Sequence, residues 1–197
     1  MDSSTMSDKR KAEIDAHKVS VEELCKRFNT NVKIGLTKEQ AAESRKKHGR
    51  HQAKSSGDTT YVLRDGAKEK ISVSLLTVGD IVEVKADHGH GWVPADIRIV
   101  KSDGFKVIIN FIYLTIITIT QKVDQSNLTR DSEPKPKKAS DFTSENPLDT
   151  ANLAFFNTRA TEGSCVGIVF NIGSKTLNGK IPDPPIEVDM SICAHTF

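Results

Sequence analysis

The sequence predicts a mainly β fold with a small α part. Three observations carry that expectation. Short apolar runs alternate with turn signals from Tyr61 to Ile172. Those runs are rich in Val and Ile, as in Ile81–Val84 and Ile97–Val100, which suits a pleated, half-buried surface. Helical spacing of apolar residues, with capping signals, occurs only near the N-terminus. Short strands bounded by turns predict a β-sandwich.

Residues 1–16 carry alternating charges without periodicity and read as a disordered tail. Residues 17–50 read as a helical hairpin. Ser20 and Glu23 make a capping box, in which hydroxyl and carboxylate cover orphan N–H groups, and Val21, Leu24, Cys25 and Phe28 form one stripe. Thr37 and Gln40 make a second box, heading a helix to about Lys47 that Gly49 is placed to stop. Residues 51–60, HQAKSSGDTT, read as a flexible linker.

Residues 61–181 read as the β domain. Tyr61–Leu63 and Ile71–Val73 flank Asp65-Gly66, a hairpin signal because glycine tolerates positive φ. Gly79-Asp80 turns into Ile81–Val84. In Val93–Val100, Ile97 and Ile99 alternate with Asp96 and Arg98, which reads as a half-buried strand. Leu153–Phe156 and Val166–Ile172 are expected to pair in the sandwich, with Phe155-Phe156 filling the core. Glu145–Leu148 reads as a turn. Residues 182–197, with Pro182, Pro184 and Pro185, read as an irregular tail.

Composition excludes several functions. The chain has 28 basic and 26 acidic residues, a net charge of +2, which argues for neither nucleic acid nor an anionic membrane as partner. Cys25, Cys165 and Cys193 are few, odd in number and far apart, which points to a reducing compartment. The polar N-terminus is not a secretory signal. The longest uncharged apolar run, residues 107–121, is shorter than the roughly 17 residues a membrane helix needs, so no direct span and a cytosolic location are expected. His88 and His90 lack further ligands nearby and read as a loop, not a metal pair. The Lys135-Pro136-Lys137-Lys138 run reads as a solvated loop, and Asn127-Leu128-Thr129 as an unused glycosylation sequon.

Four stretches carry a family resemblance. HKVSVEELCKRF with GLTKEQAAESRKKHG, VGDIVEVK, VPADIRIV and DFTSENPLDTANLAFFNT resemble the N-terminal segment and actuator domain of P-type cation pumps. The last of these is similar to the sodium/potassium and proton/potassium α subunits more than to calcium pumps. The resemblance implies a distorted jelly-roll β-sandwich, with the helical hairpin at one end. In that family two membrane helices separate the hairpin from the main β-structure, where this chain has only residues 51–60.

The resemblance also assigns the chemistry. The family's hallmark is Thr-Gly-Glu-Ser followed by Glu-Pro; here it is Thr129-Arg130-Asp131-Ser132, then Glu133-Pro134. It places Thr129, Asp131 and Ser132 in a loop that serves hydrolysis of an aspartyl-phosphate on another domain, with Asp131 where the family's Glu orients water. Asp is one methylene shorter, and Arg130 occupies a position kept for close approach. A misplacement of about 1 Å costs on the order of a hundredfold. An impaired loop is therefore expected. No Asp-Lys-Thr-Gly phosphorylation motif and no Gly-x-x-x-x-Gly-Lys-Ser/Thr cradle is present, so this chain alone is expected to hold no cofactor and to hydrolyse no ATP. ATP and Mg belong to the full-length parent. So do its partners: the phosphorylation and nucleotide domains, and a pump β subunit. The parent is expected at the plasma membrane, with this region on its cytoplasmic side. The alternative reading is a free actuator-like module that docks on an intact pump without catalysis.

Residues 107–121, VIINFIYLTIITITQ, interrupt the likeness. Ten of the fourteen residues Val107–Thr120 are Val, Ile or Thr. Removing the segment restores the family's spacing, and its end codons suit a retained short intron. A genuine extra strand pair is the other reading.

Overall fold

The computed structural model describes residues 13–51, 58–86, 91–108, 134–140 and 143–178. Its architecture is one mixed-length antiparallel sheet with two short helices on the N-terminal side. Helix α1 spans Val21–Arg27, and Ser20 Oγ accepts from Glu23 N at 3.2 Å. Helix α2 spans Lys38–His48. Here the reciprocal box forms in full: Gln40 N donates to Thr37 Oγ1 at 3.1 Å and Thr37 N donates to Gln40 Oε1 at 2.8 Å. Gly49, at φ 84°, ends α2 and donates to Arg45 O at 2.9 Å.

Among the described residues seven strands follow: β1 (Thr59–Arg64), β2 (Ala67–Ser72), β3 (Ile81–Lys85), β4 (Asp96–Ile108), β5 (Lys135–Pro136), β6 (Leu153–Ala154) and β7 (Arg159–Asn171). The order is β2-β1-β3-β7-β4-β5, with β6 also on β4. The β1–β2 hairpin turns through Asp65 at φ 49° and Gly66 at φ 74°, both left-handed, as the Asp-Gly pair requires. The two apolar runs expected to pair with each other instead flank β4: Ile97 faces Ala154 on one side and Val169 on the other.

The long β4–β7 ladder is irregular, with register shifts between Ile99 and Lys101 and again between Asp103 and Lys106. Gly163, at φ 67°, sits at the second shift; a Cβ there would lie 2.1 Å from Asp103 O, so only glycine fits. Such bulges bend a strand pair. Alternation along the strands gives the sheet a core on each face. One core holds Val62, Val82, Val84, Ile97, Ile99, Phe105 and Val169. The opposite face packs Ile81, Ile168, Phe155 and Phe170 with Ile14, Ala16 and Leu24 of the N-terminal segment. A Leu or Ile fully buried this way stabilises by roughly 1.5–3 kcal/mol.

The structure corrects several expectations. The tail reading of residues 1–16 does not hold at its end, because Ile14 and Ala16 are buried against the sheet. Two apolar residues in a short stretch that runs into a turn give no helical period, so pattern reading missed them. The linker reading of 51–60 fails at both ends: His51 is buried and Thr59 and Thr60 are in β1. The β4 start is not half-buried. Asp96 and Arg98 are as buried as Ile97 and Ile99, because β6, the N-terminal segment and the turns flanking β6 and β7 cover the second face. Val107 lies in the core as part of β4, the one described piece of segment 107–121 besides Ile108. His88, His90 and the tail 182–197 lie outside the described residues.

Candidate functional site

Thr129, Arg130, Asp131 and Ser132 lie outside the described residues. What the structure describes is the base from which that loop springs. The chain leaves at the end of β4 and re-enters at Pro134 and β5. Lys106 pairs with Pro136 and Val107 with Lys135. Pro136 has no N–H to extend a ladder, so β5 is short. The re-entering strand is then clamped beyond it. Lys137 N donates to Phe105 O at 2.8 Å, Ser102 Oγ donates to Lys137 O at 2.7 Å, and Lys138 N donates to Ala151 O at 2.9 Å.

The Lys135–Lys138 run is therefore not a solvated loop throughout. Lys137 is buried, and its Nζ donates to Thr150 O at 2.7 Å. Burial pushes its pKa down to about 8, with the charge of Lys135 adding and that of Asp149 opposing. Thr150 Oγ1 in turn donates to Asn152 Oδ1 at 2.8 Å. Asn152 Nδ2 donates to Ser140 O and to His17 O, each at 3.1 Å. Arg98 donates to Ser140 O at 3.0 Å and to Ala16 O at 3.2 Å. The same two side chains thus hold the segment after the loop and the N-terminal segment. The Glu145–Leu148 turn forms as read, with Asp149 N donating to Asn146 O at 3.1 Å, and Lys18 pairs with Glu145.

A second buried group braces the other end of β7. Asp96 accepts from Phe156 N at 2.9 Å and Leu177 N at 2.8 Å. Burial raises its carboxyl to about 7, against these two bonds and one from the Asn171 side chain. His51 accepts from Gly173 N at 2.7 Å through Nδ1, so its Nε2 carries the proton and donates to Pro94 O. Its burial lowers its pKa, which suits the neutral ring. Phe155 is buried as expected, and Phe156 sits edge-on to His51.

Nothing in this set is arranged for bond-making chemistry. Asp96, His51, Lys137 and Arg98 spend their polar atoms on main-chain groups of neighbouring segments. Among the described residues no three His, Cys, Asp or Glu side chains come together as metal ligands. A cleft of about 600 Å³ lies between α1 and the outer face of β1, β3 and β7, lined by Val32, Leu63, Ile81, Val100 and Val166. Of its four charged lining groups, Lys68 and Glu83 are paired with each other, and Glu22 and Lys101 are the others. Pattern reading missed Arg98, Lys137 and Asn152. The available signal was weak: charged residues set among apolar ones, as in Ala95-Asp96-Ile97-Arg98-Ile99.

Two family models match this chain. Residues 16–57 match the N-terminus of cation transporter ATPases, and residues 54–115 match the P-type ATPase actuator domain. About half of the chain, residues 16–115, is thus similar to the N-terminal and actuator regions of P-type cation-transporting ATPases. The actuator match stops at residue 115, inside the apolar segment 107–121. A sodium/potassium-transporting ATPase subunit alpha of Hydra vulgaris is 46% identical over 120 residues. A potassium-transporting ATPase alpha chain 2 of Cavia porcellus is 43% identical over 120 residues. Each alignment covers 61% of this chain and 10% of the relative, so the chain spans about a tenth of the length of these pumps. A solved zinc-transporting PIB-type ATPase in the E2.Pi state matches 60% of this chain and 15% of its own, at 20% identity and a TM-score of 0.37, too distant to add to the argument. Among the described residues no helix is long and apolar enough to cross a membrane.

Proposed function

We propose that this chain is the actuator portion of a sodium/potassium-type or potassium-type pump α chain. In the whole pump, ATP drives monovalent cations across the plasma membrane, and this region on the cytoplasmic side transmits motion. Its loop, with Thr129, Asp131 and Ser132, meets the aspartyl-phosphate on the phosphorylation domain. Asp131 would orient the water, with reach of about 3 Å. Arg130 and the shorter Asp131 make this loop a poor dephosphorylation element. ATP and Mg bind the parent's other domains, not this chain, and a pump β subunit joins through the parent. The observation that carries the reading is the run of pump-like sequence across residues 16–115, which takes in both helices and strands β1 to β4.

The test is to graft residues 122–181 into the matching place of an intact sodium/potassium pump and follow its phosphoenzyme. Slow dephosphorylation, restored by Arg130→Gly with Asp131→Glu, is expected. A phosphoenzyme that decays at the normal rate before those changes, or slowly after them, overturns the loop assignment. The purified chain should consume no ATP.

A second reading is a free module that docks on an intact pump without catalysis. The shared core of Leu24 with Ile81 and Ile168 favours it, since the helices and sheet fold as one unit. Capture of a pump's phosphorylation and nucleotide domains by the purified chain would support it.

A further inference from the structure

We propose that the basic end of α2, together with the Lys175 turn packed against it, is a docking surface for an anionic lipid bilayer. The last turn of α2 holds Arg45, Lys46, Lys47 and His48, and Arg50 follows it. The turn at Gly173–Lys175 sits on the helix exit. Gly173 N donates to His51 Nδ1 at 2.7 Å, and a Cβ on Gly173 would stand 3.0 Å from Arg50 O. That contact brings Lys175 to the same end. Burial first, then the charges of Lys175 and Lys47, lower the pKa of His48, so these cations act on one point.

Lys46, Lys47, Arg50 and Lys175 are exposed. None of them is in an ion pair among the described residues, whereas Lys18, Arg27, Lys68 and Lys106 each meet a carboxylate. The α2 carbonyl end favours cations but carries only about half a charge, too little to neutralise four. A concentration of uncompensated cations recruits an anionic partner. Lys47 and His48 also line a cleft of about 360 Å³, but Glu43 stands in the same lining and disfavours a lone phosphate there, while Lys46, Arg50 and Lys175 lie outside it. They suit a diffuse anionic surface, where each basic residue near the headgroups adds attraction. Leu75, an exposed apolar residue, is tied to α2 through Arg45, whose Nη2 donates to Leu75 O at 3.0 Å. The whole chain is only +2, which disfavours nucleic acid.

Vesicle sedimentation of the full chain tests this. Vesicles of phosphatidylcholine with about 30% phosphatidylserine should bind at least about tenfold more chain than phosphatidylcholine alone, and salt near about 1 M should abolish the difference. The double variant Lys46→Glu with Lys47→Glu should lose this binding, while Lys70→Glu on the β2 edge should keep it. The salt series on the unmodified chain stands even if the double variant misfolds. Equal binding to neutral vesicles, salt-insensitive binding, or full binding by a folded double variant overturns the proposal. So does displacement from vesicles by duplex DNA, or by millimolar inorganic phosphate, which would mark a polynucleotide or a discrete anion site instead.

Discussion

Two buried cations in this fold solve the same problem in opposite ways. Arg64, at the end of β1, makes a two-pronged pair with Asp80: Nε to Oδ1 at 2.8 Å and Nη2 to Oδ2 at 2.7 Å. Asp80 also accepts from Thr77 N at 2.9 Å, and Arg64 reaches Leu75 O at 3.2 Å. Burial works against the charge there, but the hydrogen bonds and charge of Asp80 win, with Glu69 and Asp65 adding, and the guanidinium's pKa is raised. Lys137, at the base of the charged loop, has a carbonyl instead of a carboxylate as hydrogen-bond partner. There burial wins and the ammonium's pKa falls to about 8. A fixed structural corner receives a full counterion. The stem of the loop is held by a cation whose charge is only partly compensated.

The contrast breaks most visibly at Asp80. Asp80→Ala leaves a buried guanidinium without its carboxylate and Thr77 N without its acceptor. A loss of about 3–5 kcal/mol is expected, read as a fall in the denaturation midpoint. At Lys137 the expected effect is smaller. Lys137→Met keeps the length and removes the charge, so it loses one bond and orphans Thr150 O while shedding the desolvation cost. The net loss should be about 1–3 kcal/mol by the same denaturation measurement. If the two substitutions cost the same, the two cations are compensated alike and the contrast is wrong.

This difference also marks what could be read from residues alone. The helix caps and the Asp65-Gly66 hairpin were legible because their chemistry is local: Thr37 and Gln40 meet three residues apart, and the turn needs only two left-handed residues. Lys137 was illegible because its hydrogen-bond partners, Thr150 O and Phe105 O, lie in segments that no window around KPKK contains. Arg98 and Asp96 alternate with isoleucines as solvent-facing residues would, and only the segments laid over β4 turn them inward. The pairing of both C-terminal apolar runs with β4 was hidden for the same reason. Thr129, Asp131 and Ser132 carry no spacing signal of their own. Their assignment came through resemblance alone, and their geometry lies outside the described residues.

The effect that separates the two cations most cleanly is in alkali. In the unfolded chain Lys137 should titrate near 10.5, and in the folded one near 8. Between those values the unfolded state holds the proton that the folded state has released. Stability linked to this group therefore rises with pH across about 8 to 10.5, by at most about 1.4 kcal/mol per pH unit for one proton. Arg64 contributes no such rise, because its shift is upward and its charge persists through that range. Subtracting the Lys137→Met profile from that of the unmodified chain isolates the Lys137 share from every other lysine. A difference that grows in favour of the unmodified chain as pH climbs supports an under-compensated stem. A flat difference means that Lys137 keeps its proton when folded, and that the loop's base is as firmly neutralised as the Arg64 corner.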